Sequence, residues 1–160
     1  MKKSIVSLIF LLGLSLNLWA VTPLDKASFI AKVTDYETNE GVWNYEGEIP
    51  CILDFYTTWC GPCKKLSPVL AQLEKEYGGK IIVYKIDAEK NKELSALFGV
   101  SAYPTMIFCP MKGNPQKSVG LLPKDVIKKA IDQVLLGLTE VAPVAPSAPQ
   151  ELNPEETSAE

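Results

Sequence analysis

The chain has 160 residues, 47% of them hydrophobic, with a formal net charge of −3 at pH 7 and no histidine. This length allows one ordinary domain with additional residues at its ends. The acidic balance argues against a nucleic-acid-binding protein. The absence of histidine excludes Ser–His–Asp triads, Cys–His nucleophile pairs and metal sites that contain histidine.

Residues 1–20 have the pattern of a secretory signal peptide. Lys2 and Lys3 precede an apolar stretch, and Leu18-Trp19-Ala20 offers a cleavage site. The stretch is shorter than the ~20 residues of a membrane-spanning helix, which favours cleavage over a retained anchor. We therefore expect an exported protein in a disulfide-permissive compartment. The periplasm is the expected location, and an extracellular or membrane-tethered location is the alternative. Removing both lysines leaves a net charge of −5 (14 Lys+Arg against 19 Asp+Glu) and no membrane contact.

The next segments predict a helix and two strands. Thr22 can cap a helix with Pro23 in its first turn, and apolar residues from Leu24 onward repeat at helical spacing. Residues 41–45 form a weakly patterned candidate for an edge strand. The nearly continuous apolar run of residues 51–56 predicts a strand that is covered on both faces.

The second half of the domain alternates between helices and strands. An amphipathic helix follows Cys60, contains Pro68, and ends at Gly78 and Gly79, which suit a left-handed cap. Residues 81–86 and 105–109 read as buried strands, residues 91–98 as a short helix, and a weaker strand ends at Val119. The last helix starts at Pro123, with a regular apolar face: Val126, Ile127, Ala130, Ile131, Val134, Leu135 and Leu138.

The composition changes from about residue 139 onward. Proline, alanine and valine dominate residues 141–149, and the remaining positions are mostly polar or acidic, without a basic residue. Such a segment buries too little apolar surface to offset its chain entropy. The sequence therefore predicts a folded domain over residues 21–138 and a disordered tail over residues 139–160.

Cys60-Gly61-Pro62-Cys63 lies where the first buried strand passes into the amphipathic helix. Unpaired backbone N–H groups and the positive end of the helix dipole favour negative charge at that place. A thiol held there ionises more readily, and the thiolate is the nucleophilic form. The motif predicts an enzyme of thiol–disulfide exchange.

Trp59-Cys60-Gly61-Pro62-Cys63-Lys64 resembles the active site of the thioredoxin family, and the similarity covers roughly residues 42–138. Further positions of the chain match the family's pattern: Asp54 as the buried carboxylate, Lys85 as its strand neighbour, Pro68 as the helix proline, Tyr103-Pro104-Thr105 as the segment with the cis proline, and Gly120 beside the substrate groove. Tyr56 departs from the tryptophan that is common at its position. The resemblance implies an α/β protein with the thioredoxin fold, a central mixed β-sheet flanked by helices on both faces.

The resemblance also implies roles for the cysteines and their neighbours. Cys60 is expected to be the exposed nucleophile that forms a mixed disulfide, and Cys63 the shielded thiol that resolves it into a redox-active Cys60–Cys63 disulfide. Asp54 is the candidate proton acceptor for Cys63, because burial moves the pKa of a carboxyl group towards neutrality. Lys85 either tunes Asp54 by its charge or faces solvent.

Trp59 and the backbone around Tyr103, Pro104 and Thr105 are expected to form a groove in which an extended client segment pairs like an added strand. We expect client proteins with disulfides or thiols, a separate redox partner that recharges the dithiol, and a monomer without cofactor or metal. Gly61 and Pro62 favour reduction of client disulfides. Oxidation or isomerisation by an exported protein, and a non-catalytic peptide-binding or chaperone-like module, remain alternatives.

Cys51 and Cys109 raise a separate question. By resemblance they lie on neighbouring antiparallel strands, where a second, structural disulfide is an alternative to two buried free thiols, which we favour. A zinc site built from all four cysteines is disfavoured, since only one pair has the CxxC spacing.

Overall fold

The computed structural model of the protein describes residues 21–39 and 42–138. The predicted signal peptide (residues 1–20), the predicted tail (residues 139–160) and Gly41 of the predicted edge strand lie outside the described residues. No helix within the described ranges is long and apolar enough to cross a membrane.

The described residues form a five-stranded mixed sheet with helices on both faces, as the resemblance implied. The strands are β1 (Thr22–Pro23), β2 (Cys51–Tyr56), β3 (Ile82–Asp87), β4 (Thr105–Cys109) and β5 (Gln116–Val119), in the order β1-β3-β2-β4-β5. The helices are α1 (Lys26–Lys32), α2 (Gly61–Glu76), α3 (Lys92–Leu97) and α4 (Lys124–Ala130), which a π-helical turn (Ile131–Leu135) continues. β1 and β2 run parallel to β3, while β4 runs antiparallel to both β2 and β5.

Two apolar layers sandwich the sheet, because successive side chains of a strand point to opposite faces. In β2, Leu53 and Phe55 join the layer that contains Phe29 of α1 and Leu94 of α3. Ile52 points the other way, into the layer built from one face of α2 and of the C-terminal helix: Leu66, Leu70, Leu73, Ile127, Ile131 and Leu135. Asp54 therefore points into an apolar layer, on the same face as α2.

The predicted boundaries of α2 are close to those observed. Cys60 is the N-cap, Pro62 lies in the first turn and Pro68 lies inside the helix. Gly78 and Gly79 follow the helix with φ angles of 57° and 85°, the left-handed conformation that the sequence predicted for the helix end. The strand-to-helix transition thus places both cysteines at the start of α2.

The predicted start of the first helix is wrong. Thr22 and Pro23 form β1, which pairs with Tyr84 and Lys85 of β3. The helix begins only after Asp25, whose carboxylate accepts a hydrogen bond from the N–H of Ser28 (2.9 Å) and so caps it. A threonine–proline start mimics a helix cap, but long-range pairing with β3 decides its conformation here.

Other boundaries shift by less. Residues 42–45 form no strand; Trp43 and Tyr45 instead stack at 6.4 Å between ring centroids and pack against the α1/α3 layer. β3 begins and ends one residue later than predicted. Val126 and Leu138, two members of the predicted apolar face of the last helix, are exposed. The other predicted strands and the helix near residue 91 are confirmed within one residue.

Candidate active site

Cys60 and Cys63 are joined by a disulfide bond at the first turn of α2. The N–H of Cys63 donates a hydrogen bond to Cys60 Sγ, with an N–S distance of 3.1 Å. Cys60 is therefore the capping residue of α2, and its sulfur accepts a hydrogen bond from one of the N–H groups that have no partner within the helix. When the disulfide opens, this position stabilises negative charge on Cys60.

The two cysteines do not differ in exposure, contrary to the prediction of an exposed Cys60. In the disulfide form Cys60 is 3% exposed and Cys63 is 2% exposed. Both cysteines are buried, and what distinguishes the two sulfurs in the structure is the hydrogen bond that Cys60 Sγ accepts from the N–H of Cys63. The motif identifies the capping position from the sequence, but the sequence did not predict that Cys60 is buried.

Asp54 lies in the middle of β2 and is fully buried, as predicted. The residue opposite Asp54 on β4 is Met106, which is apolar. Neither carboxylate oxygen has a hydrogen-bond partner among the described residues. Burial raises the pKa of Asp54 to about 6, although the charge of Lys85 acts in the opposite direction. The carboxyl group is thus suited to exchange a proton near neutral pH.

Lys85 faces Asp54, which decides between the two expectations for this residue. The two residues are direct neighbours in the β2–β3 register, and Lys85 Nζ lies 3.7 Å from Asp54 Oδ2. The ammonium also donates a hydrogen bond to the hydroxyl of Ser67 and lies 4.2 Å from the ring centroid of Tyr56. Sequence reasoning missed Ser67; its spacing of four residues from Cys63 on one helix was the available signal.

Trp59, the residue directly before Cys60, belongs to an aromatic pair. Trp59 is 66% exposed, and its ring meets that of Tyr103 edge to face at 6.1 Å between centroids. The indole N–H of Trp59 donates to the carboxylate of Glu89 (3.0 Å), a second residue that sequence reasoning missed. Trp59 is therefore held in place although most of its surface is in contact with solvent.

The segment around Pro104 has the conformation that the resemblance implied. The Tyr103–Pro104 peptide bond is cis, and the following Thr105 begins β4 with its hydroxyl donating to the carbonyl of Ala102 (2.8 Å). The N–H of Gly120 donates to the carbonyl of Pro104 (2.8 Å), and Gly120 has a φ of 94° that favours glycine. Gly120 thereby ties the end of β5 to the proline segment.

Cys51 and Cys109 are buried free thiols directly opposite each other on β2 and β4, as predicted. Burial and the adjacent Cys51 raise the pKa of Cys109 well above its ordinary value, which disfavours the reactive thiolate. Cys51 begins β2, whereas Cys60 follows the opposite end of this strand. A strand of six residues is about 17 Å long. The four sulfurs therefore do not converge, and within the described ranges no group of three or more His, Cys, Asp or Glu residues could hold a metal ion.

This fold, with a disulfide at the first turn of α2 and a cis proline directly before β4, defines a thiol–disulfide oxidoreductase of the thioredoxin type. The Thioredoxin family model matches residues 29–133. The chain belongs to the thioredoxin family.

Individual relatives agree with this assignment. The chain is 43% identical over 108 residues to a thioredoxin of Borreliella burgdorferi, covering 68% of this chain and 92% of that one. It is 36% identical to a thioredoxin of Bacillus subtilis over 110 residues, or 66% and 98% of the two chains. Among solved structures, chloroplastic thioredoxin z superposes with a TM-score of 0.58 at 26% identity, covering 71% and 93%. A mutant thioredoxin from Halobacterium salinarum NRC-1 gives 0.56 at 26% identity, covering 72% and 90%.

Proposed function

We propose that the protein reduces disulfide bonds of client proteins through its Cys60–Cys63 pair. The observation that carries this proposal is the position of Cys60 Sγ, which caps α2 and accepts the Cys63 N–H (3.1 Å). That position favours Cys60 as the thiolate and leaving group. Gly61 and Pro62 place no charged side chain between the two sulfurs, which supports a reducing rather than a strongly oxidising pair.

The reaction runs in two exchange steps. The Cys60 thiolate attacks one sulfur of a client disulfide, forms a mixed disulfide, and releases the other client sulfur as a thiolate. Cys63 gives its proton to Asp54 and attacks Cys60 Sγ. The Cys60–Cys63 disulfide closes, and the second client sulfur leaves. The client gains two electrons, which the cysteine pair loses, and a separate redox partner returns them in the next cycle.

Trp59 and Tyr103 would hold the client beside the disulfide. The exposed indole offers an apolar surface, and the segment around Pro104 and the start of β4 would offer backbone groups for strand-like pairing with a client. Client recognition would then depend on main-chain contacts more than on a particular client sequence. This arrangement suits a protein that acts on several disulfide-bonded clients as a monomer without a cofactor.

Turnover of a disulfide substrate tests the direction of the reaction. With dithiothreitol as electron source, we expect catalytic reduction of insulin, followed by the turbidity of the released chains. Faster oxidation of reduced, unfolded ribonuclease than reduction of insulin would instead indicate an oxidase. Binding of unfolded protein without either activity would indicate a peptide-binding module and would contradict the proposal.

We infer that the protein acts after export, with the periplasm as its compartment. The support is the sequence of residues 1–20, which has a basic start, an apolar stretch and Ala20 at the predicted cleavage site. Clients would then be exported proteins. Cell fractionation combined with the N-terminal sequence of the mature protein tests this inference, and an uncleaved protein in the cytosol would contradict it.

A further inference from the structure

Three side chains, from two elements, surround the ammonium group of Lys85. It donates a hydrogen bond to the Ser67 hydroxyl of α2, lies 4.2 Å from the ring centroid of Tyr56 on β2, and lies 3.7 Å from Asp54 Oδ2. The last distance exceeds the range of a hydrogen bond. The serine, and not the carboxylate, is therefore the hydrogen-bond partner of this ammonium.

Among the residues that the structure describes, Lys85 supplies the positive charge that offsets the effect of burial on Asp54. Met106 on β4 is apolar, and Asp87, two residues after Lys85 on β3, is paired with Lys90 and with the backbone N–H of Glu89. A further cation near Lys85, Lys64 of α2, is exposed to solvent. Burial is the main cause of the raised pKa of Asp54, and the distance between Lys85 and Asp54 sets how far the ammonium charge offsets it.

Ser67 connects this arrangement to the resolving cysteine. It lies four residues after Cys63, so the two side chains share one stripe of α2. Both line a pocket of about 250 Å³, together with Tyr56 and Lys85. Ser67 contacts Lys85 directly, whereas Asp54 is not among the residues that line this pocket.

We propose that Ser67 is a positioning residue, whose hydroxyl holds the Lys85 ammonium away from Asp54 and so keeps this carboxyl group able to accept the proton of Cys63 at neutral pH. The catalytic part of the inference rests on the proposed function. The positioning part does not, because the contacts are present in the disulfide form, in which the two cysteines carry no titratable proton.

A ¹³C NMR titration of the Asp54 carboxyl carbon in the disulfide form tests the positioning directly. In Ser67→Ala, Asp54 is the nearest remaining acceptor for the ammonium, and we expect the titration midpoint to fall by about one pH unit. Ser67→Thr keeps a hydroxyl acceptor and is expected to retain the midpoint of the original protein. An unchanged or higher midpoint in Ser67→Ala would overturn the proposal.

A double variant shows whether Ser67 acts through Lys85. Lys85→Met removes the positive charge that offsets the effect of burial on Asp54, so the titration midpoint of Asp54 is expected to rise in this variant. Adding Ser67→Ala to Lys85→Met is expected to change nothing further. A fall of about one pH unit in that background would mean that Ser67 acts on Asp54 by another route, which would overturn the proposal.

The catalytic consequence has its own readout. The rate at which Cys63 releases a preformed mixed disulfide should reach its half-maximal value at lower pH in Ser67→Ala than in the original protein. If the original protein releases no mixed disulfide at any pH, the proposed function fails, while the NMR titration still decides the role of Ser67. If release occurs but its pH profile is identical in both proteins, the catalytic part of this proposal fails alone.

Discussion

Replacing Cys60 by serine is expected to abolish thiol–disulfide exchange, and replacing Cys63 by serine to trap the mixed disulfide with the client. A hydroxyl at position 60 cannot act as the attacking thiolate, so no covalent complex forms. With serine at position 63 the first step proceeds, but no second thiol resolves the product. Non-reducing electrophoresis of each variant with insulin, with intact mass analysis of the adduct, distinguishes the two outcomes.

Cys109→Ala is the matched control for these variants. It also removes one cysteine, but from a buried free thiol at the far end of β4, and it should leave exchange intact. Adduct formation by Cys60→Ser, or turnover equal to that of the original protein by either active-site variant, would contradict the assigned roles.

Replacing Asp54 by asparagine is expected to stabilise the protein at pH 7. The pKa of Asp54 is raised from 3.8 to about 6 in the folded state, so the unfolded chain releases this proton at lower pH. The folded state therefore loses stability as pH rises from about 4 to about 6. Above that range, the pKa difference between the folded and unfolded states lowers the free energy of unfolding by about 3 kcal/mol. Asparagine resembles the neutral acid and carries no such cost.

Urea unfolding of the disulfide form at pH 7 and pH 3 measures this effect. We expect Asp54→Asn to raise the free energy of unfolding by about 3 kcal/mol at pH 7 and by almost nothing at pH 3. The variant should also release the mixed disulfide more slowly, because asparagine cannot take the proton of Cys63. Asp125→Asn, on the exposed start of α4, is the control, with a change below about 1 kcal/mol. Destabilisation by Asp54→Asn at pH 7 would contradict the account.

The elements that carry the site were predictable because local signals agree. β2 is a continuous apolar run, and α2 has a motif at its start, a regular apolar stripe and glycines at its end, so pattern and boundaries point to one answer. Asp54 lies within that run, so the strand prediction placed it on β2, and the resemblance supplied its role as the buried carboxylate. The resemblance supplied the cis proline segment and Gly120, which no local signal of the sequence specifies.

The remaining features depend on contacts between distant segments. β1 has only two residues, and pairing with β3 defines it. The hydrogen bond between Lys85 and Ser67 joins residues on β3 and α2, and that between Trp59 and Glu89 joins residues 30 positions apart. Sequence patterns report which face of an element is apolar, but not which partner its polar residues find.

The equilibrium redox potential of the Cys60–Cys63 pair, measured against glutathione buffers by alkylation and mass analysis, tests most directly the claim that the reduced pair donates its electrons to client disulfides. We predict a potential of about −270 mV, the value typical of thioredoxin. At this potential the dithiol is a reductant. A value near the about −120 mV of strongly oxidising proteins would contradict that claim.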